Sequence, residues 1–188
     1  MPTNLRAGRR VASLALSLAL ASGSLSLAAA QAGSKSAAAA KQLTDVLDRL
    51  KLDAIAAPDP SDPGAFVAAL YFQGGQLLVV SAKYSAPTLI TAKLAKKDYR
   101  DVYIDLNAAS VAGSKIFVMD QACDGLVAKP GDSAPDTWEQ GTTNTIFDGD
   151  FKQAKLSEEA YGKAFATADQ KYAQILELLA AQASKGGS

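Results

Sequence analysis

A chain of 188 residues with 19 basic and 19 acidic side chains, one cysteine and no histidine excludes several functions at once. Without histidine there is no Ser-His-Asp triad, no Cys-His pair and no imidazole-built zinc site, and a lone cysteine closes no internal disulfide. A net charge of zero with no basic run gives no electrostatic footprint for nucleic acid.

Residues 1–32 read as a signal peptide. Arg6, Arg9 and Arg10 precede an apolar run of about a dozen residues, too short to span a bilayer comfortably, and Ala30-Gln31-Ala32 fits the small-x-small pattern of a cleavage site. The paired Arg9-Arg10 also admits the twin-arginine export route. Cleavage after Ala32 would leave 19 acidic against 16 basic residues, so the expected product is a weakly acidic, soluble protein in the periplasm or medium. No second apolar stretch approaches membrane length.

Residues 33–57 form an N-terminal helical segment, in which Leu43, Val46, Leu47 and Leu50 recur at helical spacing and Asp45 stands one turn from Arg49. The stretch PDPSDPG from Pro58 to Gly64 reads as a linker, and its Asp59 and Asp62 as solvated turn residues. An α+β domain is predicted over residues 65–183, built on a mostly antiparallel sheet with flanking helices. AFVAALYF and QLLVVSA make a hairpin around Gly74-Gly75, apolar on successive residues as strands covered on both faces are. APTLITAKLAKKDY reads as a helix, RDVYIDLN as a third strand, and SKIFVMDQACDGLVAK as a fourth, an Asp124-Gly125 turn and the start of a fifth. The stretch from Pro130 to Thr145 reads as irregular, with Trp138 covering the core edge and TIF adding a short strand. Ser157 caps a closing helix whose Tyr161, Phe165, Tyr172, Ile175, Leu176 and Leu179 form one stripe, and residues 184–188 are a disordered tail.

The chemistry concentrates where the second strand of the hairpin meets the following helix. Ser81, Lys83 and Ser85 crowd that turn, and a helix start offers free N–H groups and a positive dipole end to an anion. The competing reading makes Ser85 an ordinary helix cap and Lys83 a solvated corner residue. Cys123 reads as a small buried residue beside a turn, and Asp101 and Asp105 as solvated acids at strand ends rather than a hydrolytic pair.

From Ala65 to Ala128 the order of elements resembles the FMN-binding split barrel of the pyridoxamine-phosphate-oxidase-like families. The resemblance implies a possible split-barrel fold, FMN as cofactor, and a flavin phosphate received at Ser81, Lys83 and Ser85, with Lys93 on the helix as a further contact. It departs from the family in its arginines, since only Arg49 and Arg100 follow residue 32. Two readings therefore stand side by side. One is a non-enzymatic binding or structural module of the cell envelope, with a protein partner or a second copy of the chain. The other is a split-barrel protein that binds flavin or a small anionic ligand and has weak redox activity.

Overall fold

The computed structural model describes residues 34–72, 75–83, 115–127, 135–147, 151 and 155–186. Among them, six strands lie in chain order in one antiparallel sheet: β1 (Ala54–Pro58), β2 (Ala65–Phe72), β3 (Gln76–Lys83), β4 (Ile116–Gln121), β5 (Asp136–Gln140) and β6 (Thr143–Phe147). Helix α1 (Lys35–Leu50) precedes the sheet and α2 (Glu158–Gly186) follows it. This is the expected α+β class with an antiparallel sheet. The sheet is open, with β1 and β6 at its edges; the closure of a split barrel is not seen among the described strands. The signal peptide, the predicted helix from Ala86, the strand RDVYIDLN, Ser85 and Lys93 lie outside the described residues.

Period-2 alternation on the strands and helical spacing on α1 and α2 meet in one core. Ile55, Val67, Ala69, Tyr71, Leu77, Val79, Val118 and Trp138 face the two helices, which contribute Leu43, Leu47, Tyr172, Leu176 and Leu179. Phe147 closes this core edge-on against the rings of Tyr161 and Phe165, at centroid distances of 5.6 and 5.3 Å. The alternate residues Ala68, Leu70, Leu78, Val80, Ala82 and Phe117 form a second buried cluster, so the central strands are apolar on both faces, as their sequence requires.

Several local expectations change. The helical segment ends at Leu50, with Lys51 in the left-handed conformation (φ 55°), and Ala54–Pro58 becomes β1, paired with β2 from Ala54 opposite Leu70 to Pro58 opposite Phe66. PDPSDPG is thus the turn of a β1–β2 hairpin. The partner of Asp45 is Lys41, not Arg49. Leu126 and Val127, the described residues after Asp124-Gly125, are not in a strand; the next described strand is β5, and the part of the irregular stretch from Asp136 onward is the β5–β6 hairpin, with Gln140 opposite Thr143 around Gly141-Thr142 and the expected TIF strand as the end of β6. Trp138 is buried mid-strand opposite Val118. Ser157 caps α2 as expected, its Oγ accepting the Ala160 N–H at 3.2 Å.

Candidate functional site

Two polar regions lie on the helix-facing side of the sheet. The first is a groove of about 920 Å³ at the end of the sheet where β3 finishes and β4 begins. Val67, Ser81, Ile116 and Gln140 line it from neighbouring strands, which the registers Val67–Ser81, Ser81–Ile116 and Ile116–Gln140 set side by side. Lys171, Gln174, Ile175 and Leu178, at positions i, i+3, i+4 and i+7 of α2, form the opposite wall. The β1–β2 turn (Asp59, Pro60, Ser61) and the β5–β6 turn (Gly141, Thr142) close its ends.

The charges around this groove are largely matched to one another. Ser81 is buried, and its hydroxyl donates to Asp59 Oδ2 at 3.4 Å. Asp59 Oδ1 also accepts the Ser61 N–H and hydroxyl at 2.8 and 2.6 Å. Burial alone would raise the Asp59 carboxyl; the two bonds from Ser61, the charge of Lys115 and the Ser81 hydroxyl outweigh it and hold the group below its ordinary value. Lys83 and Lys115 both pair with Asp62, the former at 3.2 Å. Lys171 donates to Gln140 Oε1 at 3.3 Å. The structure therefore brings Ser81 into the groove wall and sets Lys83 outside it, on the Asp62 carboxylate; Asp59 and Asp62, read from sequence as solvated turn residues, are the acceptors that organise this corner. Lys83→Ala removes only an exposed ion pair and leaves Asp62 with Lys115, so chemical denaturation should find its stability within about 0.5 kcal/mol of wild type.

The second region lies towards the β4–β5 end and was not legible in the sequence. Asp120 ends the apolar run of β4 fully buried, and Asp136 opens β5 with 3% exposure. The Asp120 carboxylate accepts the N–H groups of Asp124 and Gly125 at 3.1 and 3.0 Å and the Tyr172 hydroxyl at 3.0 Å. Asp136 accepts those of Gln121 and Val127, both at 2.8 Å. Two carboxylates thus wrap the turn from Gln121 to Val127, satisfying donors that a buried loop would otherwise leave unpaired. The turn then docks on α1: the Leu126 N–H donates to Ser36 Oγ at 2.8 Å. The start of α1 is capped from α2, where Asp169 accepts the N–H groups of Lys35 and Ser36 and the hydroxyls of Ser34 and Ser36.

Burial drives the carboxyls of Asp120 and Asp136 upward. Asp120 is raised to about 7 by burial and the charge of Asp124 against the opposing bonds from Tyr172 and the turn; Asp136 reaches about 8 by burial and the charge of Asp120. Burial and the charges of Asp120 and Asp124 push the Cys123 thiol up to about 12, which leaves it no thiolate for nucleophilic work at neutral pH. Asp120, Asp124 and Asp136 present carboxylate oxygens that all lie within 4.8 Å of one another, a donor set of the kind hard cations take. Asp120 and Asp136, however, already accept five bonds from the turn and α2, so their first role is to hold the backbone.

No protein family, curated protein or solved structure matches this chain.

Proposed function

We propose that this chain is an exported, non-enzymatic binding or structural module of the cell envelope, and that the groove between the β3–β4 end of the sheet and α2 is its binding face. The observation that carries the reading is the groove's composition. Val67, Ile116, Ile175 and Leu178 supply apolar walls, while Ser81, Gln140, Thr142, Gln174 and Lys171 supply donors and acceptors around them, the mixture that ligand sites show. Export is supported by the arginines, the apolar run and the Ala30-Gln31-Ala32 site at the head of the sequence. The ligand that fits such a groove has an apolar body and one polar or anionic head.

The second reading, a flavin phosphate bound around Ser81 and Lys83, is favoured by the position of Ser81 in the groove wall. Thermal shifts with FMN, riboflavin and inorganic phosphate separate the two. A ligand that binds only the folded state raises its melting temperature by mass action. The expected result is no shift with any of the three at millimolar ligand and no flavin absorption near about 450 nm in the purified protein. A shift with FMN but not riboflavin, lost in Lys83→Ala, would replace the first reading with the second.

A further inference from the structure

The sheet has two edges, and they are built differently. β1 is buried at Ala54, Ile55 and Ala57 and ends on Pro58, which has no N–H to offer a further strand. β6 carries neither device: TNTIF has no proline and no charge, and Thr143, Asn144 and Ile146 are exposed. Among the described residues no strand lies beyond it.

The register decides which backbone groups that edge presents. Gly141-Thr142 is a two-residue turn, so Gln140 and Thr143 exchange both ladder bonds, and the pattern alternates along the hairpin. Thr143, Thr145 and Phe147 therefore bond inward to β5, while Asn144 and Ile146 turn both N–H and C=O outward. Ile146 stands opposite Thr137 and, through Met119, in line with Leu78, which puts its side chain on the sheet face away from the helices, 44% exposed. On the helix side the edge borders a groove of about 480 Å³, lined by Thr143, Thr145 and Phe147 and, from α2, by Lys163, Ala164 and Thr167. The small residues of the α2 wall leave room beside the strand.

We propose that β6 is a dimerisation edge: β6 of a second copy pairs with it antiparallel about a twofold axis at Thr145, continuing the sheet across both subunits. Asn144 then stands opposite Ile146 of the partner subunit, and Ile146 opposite Asn144 of the partner subunit, so the outward groups of these two residues close four ladder bonds. Two outward-facing residues spaced evenly about Thr145 make the edge complementary to itself. Charge agrees with this occupant. β6 has none to oppose its copy, and Lys163, the one charged side chain among the described residues lining the groove, is matched by Glu159 on its own helix. Thr145 meets its own copy across the axis, a favourable strand pair, and the two exposed Ile146 side chains become diagonal neighbours on one face. Five paired residues make a small interface, so association belongs in the micromolar range.

The test is sedimentation velocity of the intact chain from about 1 µM to about 1 mM, the span over which so small an interface assembles, with amide exchange of Asn144 and Ile146 followed at both ends. Wild type should pass from monomer to dimer, and these two amides should slow as it does. Ile146→Pro removes an outward N–H and leaves the inward bonds of Thr145 and Phe147 intact, as proline on an edge strand does. Association should weaken at least about thirtyfold, since one ladder bond is lost on each side of the axis, with the melting temperature of the monomer near wild type. Ile146→Lys keeps the N–H but sets like charges across the axis; it should act in the same direction, and it decides the matter if the proline variant does not fold. Wild type that stays monomeric throughout, or a dimer of unchanged affinity in the folded variants, overturns the proposal. So does a monomer whose Asn144 and Ile146 amides slow only on adding a synthetic peptide of alternating threonine and valine, which would make β6 a docking edge for another chain.

Discussion

Gly125→Ala is expected to abolish stable folding, or to destabilise the chain by about 4 kcal/mol where it still folds. A Cβ built at Gly125 falls 2.5 Å from Ser36 C and 2.7 Å from Ala37 Cα, and closer still to Ala37 N. These are backbone atoms of the first turn of α1, which no rotamer change can move aside. The methyl group is admitted only if the helix start lifts away, which breaks the Leu126–Ser36 bond and disturbs the cap from Asp169. Gly125 also has φ +78°, a conformation that alanine tolerates poorly. Gly64→Ala separates the two effects. Gly64 has φ +83° and nothing within 4 Å of its Cβ position, so it should lose only the backbone term, about 1 kcal/mol. Urea denaturation of the two variants measures the contrast; equal losses would mean that the close packing of turn on helix is wrong.

Asp169→Ala should destabilise the chain by about 3 kcal/mol. Asp169 is buried on α2 and accepts four bonds at 2.6–3.0 Å from Ser34, Lys35 and Ser36. Its loss strands two backbone N–H groups at the start of α1 and removes a negative charge from the positive end of that helix. Asp169→Asn keeps one acceptor oxygen and much of the shape, so it should recover part of the loss, leaving the Lys35 N–H facing an amide donor. Calorimetric melting of both variants gives the order wild type, Asn, Ala; an Ala variant as stable as wild type would remove the cap from the account.

How far the sequence carried depends on the kind of signal each element offered. β2, β3 and β4 were legible because unbroken apolar runs between turn residues have few alternatives, and α2 because its stripe keeps helical spacing over five turns and starts at a capping serine. β1 was missed because AIAAP is alanine-rich and follows a helix directly; only its pairing with β2 makes it a strand, a tertiary effect that propensity does not carry. TIF was read as a strand and ends β6, but β5 and its pairing into the β5–β6 hairpin were missed because DTWEQ is polar. A usable signal was present in Gln-Gly-Thr-Thr, with Gly141 at φ +63° between Thr- and Trp-bearing segments, the composition of a two-residue hairpin turn. Of the proposed site residues, Ser81 reaches the groove wall because its register sets it beside Val67 and Ile116, while Lys83, one pleat further on, reaches Asp62. The buried acids were beyond reading, since Asp at a strand end is solvated far more often than it is enclosed.

The most direct test of the proposed binding face is a fluorescence titration with anilinonaphthalene sulfonate, whose rings suit the apolar walls and whose sulfonate suits Lys171. Folded wild-type protein with its Trp138 near-ultraviolet signal intact should bind the probe saturably and enhance its emission. Ile175→Glu, which places a charge in the groove wall, should abolish most of that binding while the protein keeps a cooperative melt. Ile146→Glu should not, because Ile146 is 44% exposed on β6 and takes no part in the groove. Binding that survives Ile175→Glu, or that is lost in Ile146→Glu instead, would contradict the assignment of the groove as the face through which this protein works.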